Sequence, residues 1–274
     1  MSALGPPAGP SAGPRVSTLV AVAIASVTLG LAAVAGLGLW IVGPQGNGML
    51  QAVSVNATST DATEPDGYSV WGVNDDGSPI RWDPCSPVEL VVAPGWPPGF
   101  LDDLRTAVSR IRAASGLDID IAGPSDERPS RDRLPYQPER HGERWAPVLV
   151  AWAAPGEAGL PLRDIDRGVA IPVAVGSPGD RSYVTGQVVF NRERTELQSG
   201  FADRQDAWGA TILHELAHVL GLGHVDDPGE LMHTFPGSGP ATFGPGDLRG
   251  LAAVGTDGGC RSVPHARPVV VEPS

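Results

Sequence analysis

Eleven consecutive residues, His214-Glu215-Leu216-Ala217-His218-Val219-Leu220-Gly221-Leu222-Gly223-His224, constrain this chain more than any other stretch. On an α-helix His214 and His218 project from one face, so two ring nitrogens can reach one ion. Glu215 starts one position later and lies beside them. Gly221 can take the left-handed conformation that ends a helix, which turns the chain so that His224 approaches as a third ligand. Three neutral imidazoles leave a fourth position for water, the open coordination of a catalytic rather than a structural zinc. Zinc held in this way lowers the pKa of bound water from about 16 towards roughly 7 and polarises a nearby carbonyl. Glu215 is then placed to act as general base and, later, as general acid. The bland reading is an ordinary buried helix, and it weakens once Gly221 and His224 are also in register.

The stretch resembles the metzincin zinc-peptidase signature HExxHxxGxxH and is most similar, within that clan, to matrixins. The run His224-Val225-Asp226-Asp227-Pro228-Gly229-Glu230-Leu231-Met232 extends the likeness, with the Asp-Pro-Gly turn and the Leu-Met pair where matrixins carry their Met-turn. The resemblance implies one catalytic zinc on His214, His218 and His224, with Met232 packed beneath it as an apolar floor and no ligand. It implies an α+β fold, a twisted mixed sheet with long helices above a lower subdomain that holds the Met-turn. It also implies that residues 186–191 form the strand along the substrate cleft, an edge with which an extended peptide can pair.

Departures limit what carries over. Val189 and Asn191 stand where matrixins have a structural-zinc histidine and a calcium-site aspartate, so no second zinc is expected, and calcium is left without a recognisable motif. His233-Thr234-Phe235-Pro236 replaces the usual Tyr-Pro pair at the specificity pocket, and Val225 replaces a common serine. The motif match covers about forty-five residues of the chain, and elsewhere the likeness is one of element order.

The first quarter of the chain is not globular material. Residues 1–15 are Gly, Pro, Ala and Ser with a single charge, Arg15, and are expected to be disordered. Residues 16–42 are uncharged and apolar; as a helix they would be about 40 Å long, enough for a hydrocarbon core of about 30 Å. They are read as a transmembrane signal anchor. Arg15 precedes the segment and Asp61 is the first charge after it, which places the N-terminus in the cytoplasm and the bulk of the chain outside. Ala33-Val34-Ala35 keeps a cleaved, secreted form as the other reading. Residues 43–67 read as a flexible linker, 68–262 as the catalytic domain and 263–274 as a disordered tail.

Cys85 and Cys260, the only cysteines, suit one structural disulfide in an oxidising compartment. Cys85 as an inhibitory thiolate on zinc is the weaker reading, since residues 82–87 do not match the matrixin inhibitory motif. A net charge of −12 argues against nucleic acid as a partner.

Within the domain, Asn74-Asp75-Asp76-Gly77 predicts the turn of a hairpin over 68–82, read as a solvated turn with calcium as the alternative. Apolar runs predict strands at 88–93, 117–121, 147–152, 169–175 and 183–191, and helical spacing predicts helices at 100–115, 203–220 and 247–254, the second capped by Asp203 or Asp206. Strand, helix, strand, strand is the order of a metzincin upper subdomain. Residues 123–144, rich in Pro and charge, are read as an exposed loop with His141 on its surface; His233 and His265 are not counted as ligands. The expected protein is a monomeric, membrane-tethered, extracellular zinc endopeptidase acting on proteins or peptides. The alternative is a non-catalytic, zinc-containing surface-binding domain.

Overall fold

The first long helix forms where apolar residues recur every three or four positions. In a computed structural model that describes residues 51–54, 67–177, 179–201, 207–234 and 240–271, helix α1 spans Phe100–Ser115 and buries Phe100, Leu104, Ala107, Val108 and Ile111. Gly116 ends it at φ 72°, its N–H bonded to the Arg112 carbonyl. The expected boundaries of this helix hold. Near its start, buried Asp103 accepts hydrogen bonds from the Ser199 hydroxyl and the Gly200 N–H, both at 2.8 Å, which anchors that segment to the helix.

The sheet is built around β2 (Val88–Val92), β3 (Ile119–Pro124), β4 (Val148–Ala153), β5 (Gly168–Ser177) and β6 (Asp180–Asn191), in the spatial order β3-β2-β4-β6-β5. β2 pairs in parallel with β3 and β4, and β4 with β6, whereas β5 and β6 form an antiparallel hairpin. The mixed sheet with its helices is an α+β architecture. β4 is buried along its whole length, as expected of a central strand covered on both faces. On one face Leu90, Val150, Val188 and Phe190 pack with α1 and with α3 (Trp208–Leu220) in a single core.

The segment at 123–144 is largely exposed, as expected of a loop, but part of it is fixed on the opposite face of the sheet. Thr185 and Gln187 alternate with Val188 and Phe190, so they point away from the helices. The segment lies against them: Gln187 accepts the Ser130 N–H and donates to the Ser130 carbonyl, while Arg133 donates to Thr185 Oγ1 and to the Gly186 and Pro147 carbonyls. Arg133 also grips Glu127 through two bonds of 2.9 and 3.0 Å, and both side chains are under one-tenth exposed. His141, expected at the surface, closes the short helix α2 (Pro138–His141) with its ring buried 3.7 Å from Glu127. Charge-rich composition had suggested solvent, and Asp126, Arg128, Arg131, Asp132 and Glu139 are exposed; Glu127 and Arg133, paired and hydrogen-bonded, are buried within the same segment.

Two further segments differ from expectation. Gln51–Ser54, within the presumed linker, forms strand β1, antiparallel to β5, and Val270–Val271, within the presumed tail, forms β7 alongside β1. Pairing to an open sheet edge needs backbone groups more than apolar side chains, so polar flanking sequence does not forbid it. α3 begins at Trp208, and the caps proposed for it, Asp203 and Asp206, lie outside the described residues, as do the expected transmembrane segment 16–42 and the N-terminus before it. Among the described residues no helix is long and apolar enough to cross a membrane.

Near the other end, α4 (Pro245–Val254) opens with Pro245 at its first turn, two residues earlier than expected. Cys85 and Cys260 lie at disulfide distance and are bonded, with Cα atoms 5.4 Å apart. The bond closes residues 85–260 into one loop and leaves no free thiol at Cys85.

Candidate metal centre

α3 is buried over nearly all its length, because Ile212, Leu213, Leu216, Val219 and Leu220 pack into the core around it. His214 and His218 sit one turn apart on this fixed element. Gly221 then leaves the helix at φ 115°, its N–H shared between the Ala217 and His218 carbonyls. A side chain is excluded there twice over, by the positive φ and by a Cβ that would stand 3.1 Å from the Tyr183 ring and 3.2 Å from the Ile80 carbonyl. The connector to His224 is held by main-chain bonds to the start of the domain, Trp71 N–H to Gly221 O at 2.7 Å and Gly223 N–H to Ser69 O at 2.8 Å.

The result is a triangle of ring nitrogens. Nε2 of His214 lies 3.0 Å from Nε2 of His218 and 3.2 Å from that of His224, and the third side is 3.2 Å. Three nitrogens placed tetrahedrally around one ion at 2.0–2.1 Å would stand about 3.3 Å apart, so the triangle fits zinc almost without adjustment. The opposite ring atoms decide the tautomers. Nδ1 of His214 lies 2.9 Å from the Leu231 carbonyl and Nδ1 of His218 lies 2.8 Å from the Leu222 carbonyl. Each Nδ1 therefore carries the proton, and both Nε2 lone pairs point into the triangle, an arrangement that a cation relieves.

Burial keeps these rings neutral. It pulls His214 down to about 3, helped by His224, and holds His218 well below the usual imidazole range. His224 is lowered by burial and by the neighbouring charge of His233. His233 itself stands outside the triad, as expected, and His265 is exposed. Trp71 meets His218 edge to face at 4.2 Å between ring centroids, which adds a wall that the motif alone does not reveal.

Glu215 is buried, and burial, with the charge of Asp166, raises its carboxyl to about 8. A dication in the triangle would draw it back down. Gly168, the first residue of β5, abuts it: a Cβ there would stand 2.9 Å from Glu215 Cγ. The strand that borders the centre is thus β5. Residues 186–191, expected to be the cleft edge, lie in β6, which is paired on one side with β4 and on the other with β5 and has no edge to offer.

Met232 is almost fully buried, and its carbonyl accepts the N–H of Val225, the residue after His224. Two carboxylates missed by sequence reasoning fix this turn. Asp247 accepts the N–H groups of Leu231 at 2.6 Å, Gly244 at 2.9 Å and Met232 at 3.3 Å. Glu230 reciprocates, accepting the N–H groups of Gly246 and Asp247 at 2.8 Å each in the first turn of α4. Since the Leu231 carbonyl in turn orients His214, the start of α4 is wired to a candidate metal ligand. Glu230 beside the Leu-Met pair was the available signal, and spacing alone does not say which helix it caps.

Among the described residues one other group of ligand-type side chains converges, Asp83 with Cys85 and Cys260, and its sulfurs are committed to the disulfide. The acidic turn at 74–77 is a turn: Gly77 N–H bonds the Asn74 carbonyl, and Asp76 accepts the Ser78 N–H. No protein-family model matches the chain, and no curated protein matches it.

Proposed function

We propose that the chain is a zinc-dependent endopeptidase of the metzincin type, matrixin-like, exported on an N-terminal membrane anchor and acting on protein or peptide substrates. The observation that carries this reading is the Nε2 triangle of His214, His218 and His224 at zinc spacing with Glu215 next to it on the same helix. Strand, helix, strand, strand before that helix, and the buried Leu231-Met232 turn below it, support the same reading.

His214, His218 and His224 would hold the ion, the first two with their rings locked by the Leu231 and Leu222 carbonyls. Zinc in that position supplies a Lewis acid and an acidified water. Glu215 takes the proton from the attacking water at its carboxylate and returns it to the leaving amine, so the scissile bond must lie within hydrogen-bond reach of this side chain. Its burial holds the carboxyl beside the triangle and out of bulk water, so the proton passes between Glu215 and the reacting groups rather than to solvent. Met232 closes the floor beneath the ligands.

The test is cleavage of a denatured, fluorescence-quenched protein by the purified full chain, before and after removal of metal by a chelator and return of Zn2+, beside Glu215→Gln. Loss with the chelator, recovery with zinc, and an inert Glu215→Gln that still binds one zinc per chain are expected. Cleavage by Glu215→Gln at the wild-type rate would sink the assignment. One bound zinc without any cleavage would favour the surface-binding alternative.

A further inference from the structure

The connection from β4 to β5 ends in a turn over residues 163–167, which delivers the chain to Gly168 beside Glu215. Packing does little to place this turn, since Arg163, Asp164 and Ile165 are exposed, Ile165 at 66%. Hydrogen bonds place it instead. Within the turn the Asp166 N–H donates to the Arg163 carbonyl at 3.0 Å, and the Asp166 carboxylate accepts the Arg163 N–H at 2.9 Å together with its guanidinium.

The last three carbonyls of the turn all find donors just past the end of β6. Those of Ile165 and Asp166 accept the guanidinium of Arg194, the second of them at 3.4 Å. The Asp166 carbonyl also accepts the side-chain amide of Asn191 at 2.9 Å, and the Arg167 carbonyl accepts the Asn191 N–H at 2.9 Å. Asn191 ends β6, is 1% exposed and is itself fixed, its Oδ1 accepting the Glu193 N–H at 3.0 Å. Arg194 stands three positions further on, with the Glu196 carboxylate at 3.3 Å. A guanidinium suits two successive carbonyls because its planar fork offers several donors in fixed directions, whereas an ammonium is a point charge.

We propose that Arg194, together with Asn191, is a positioning residue for catalysis: it holds the carbonyls of residues 165–167, and through them Gly168, so that the start of β5 keeps Glu215 in place beside the metal centre. The inference rests on the peptidase reading above. Gly168 leaves little slack, since a Cβ there would stand 2.9 Å from Glu215 Cγ and 3.2 Å from its Oε1. A turn that shifts by about 1 Å therefore either presses on the carboxylate or gives it room to swing away, and a misplacement of that size costs up to about 100-fold in rate. The ligand histidines are held from other segments, His214 by Leu231 and His218 by Leu222, so loss of Arg194 should spare the metal.

The experiment compares the zinc-loaded full chain with Arg194 variants on a panel of quenched peptides. Arg194→Met keeps the length of the side chain and removes its donors, and the freed Ile165 and Asp166 carbonyls can turn to water. Its melting temperature and zinc content should therefore match the wild type, while kcat falls about tenfold and KM moves by less than about twofold. Hydrogen exchange over residues 163–168 reads the turn directly and should quicken. In Arg194→Ala, which leaves space for a small cation, millimolar guanidinium chloride should raise kcat, and sodium chloride at the same concentration should not. Wild-type kcat in Arg194→Met, unchanged exchange, a loss of activity that follows zinc content or melting temperature, or failure of guanidinium to rescue Arg194→Ala overturns the inference and leaves the peptidase assignment standing. Cleavage of none of the peptides by the wild type overturns both.

Discussion

Asp247→Ala should damage the protein at a distance from the histidine it helps to hold. The Asp247 carboxylate is 1% exposed and accepts three backbone N–H groups, of which those from Leu231 and Gly244 are short. Removing it leaves two well-made donors and one longer one buried without an acceptor. At about 1–3 kcal/mol per unsatisfied buried group, with the groups not additive, the expected loss is about 3–5 kcal/mol of unfolding free energy. Against a total of about 5–15 kcal/mol for a domain, that is a large fraction. The effect should reach the metal, because the Leu231 carbonyl orients His214; zinc affinity should fall by about 10–100-fold, the usual cost of losing an outer partner. Urea unfolding of the zinc-free protein reads the first quantity, and competition with a chromophoric chelator reads the second. Asp247→Asn keeps an acceptor oxygen but turns an NH2 towards N–H donors, so it should fall between alanine and wild type. An alanine variant within about 1 kcal/mol of wild type would refute the reasoning for stability. Unchanged zinc affinity in a destabilised variant would refute the link from α4 to His214.

The pH dependence of the same group has a defined sign. Burial raises the Asp247 carboxyl to about 6, with Glu230 adding to the rise and the three N–H groups opposing it. A carboxyl whose folded pKa lies above its unfolded value binds a proton more tightly in the folded protein. Its contribution to stability is therefore full below about pH 4, declines between about pH 4 and pH 6, and is flat above. The difference in unfolding free energy between the zinc-free wild type and Asp247→Asn should shrink across that window. A difference that grows would show that the N–H donors outweigh burial.

Four further outcomes follow from the structure. Arg133→Met strands the buried Glu127 carboxylate and should cost about 3–5 kcal/mol in urea unfolding, most of it recovered in the double variant with Glu127→Leu; an equally unstable double variant would deny the pair this role. Burial pushes Glu127 up but Arg133 and Gln137 more than offset it, so its carboxyl lies below the usual range, and the stability it brings is present above about pH 4.5 and lost on acidification; Arg133→Met should weaken that acid-side loss. Reduction of Cys85–Cys260, whose sequence separation is 175, should lower stability by about 5 kcal/mol from loop-closure entropy, and a shift below about 1 kcal/mol would mean that the unfolded chain is already compact. Gly168→Ala should displace Glu215 and cut kcat by about 100-fold with zinc content unchanged, so full activity would show that the carboxylate acts from elsewhere.

How much of this was legible in the sequence depended on whether a residue's task was local. Helix α1 was legible to the residue because its periodicity and its flanking glycines, Gly99 and Gly116, are both near in sequence to what they control. The convergence of His214, His218 and His224 was legible for the same reason: eleven residues contain two of the histidines on one helical turn, the glycine that ends the helix and the third histidine beyond it. What escaped were partners fixed by topology. Gly168 and Glu215 are 47 positions apart, and only the hairpin of β5 on β6 decides that β5 rather than β6 borders the centre. A glycine there has no sequence signature, since its function is to be absent where a Cβ would strike Glu215. Glu127 and Arg133 escaped for a different reason. Charge is usually a sign of solvent, and the sign inverts only when every donor and acceptor finds a partner, which here comes from Thr185 and Gly186 on β6 and from Pro147 just before β4. β1 combines both difficulties. Its polar surroundings look like linker, and its buried Ala52 is too small to announce a core; the bonds that order it come from β5, far away in sequence.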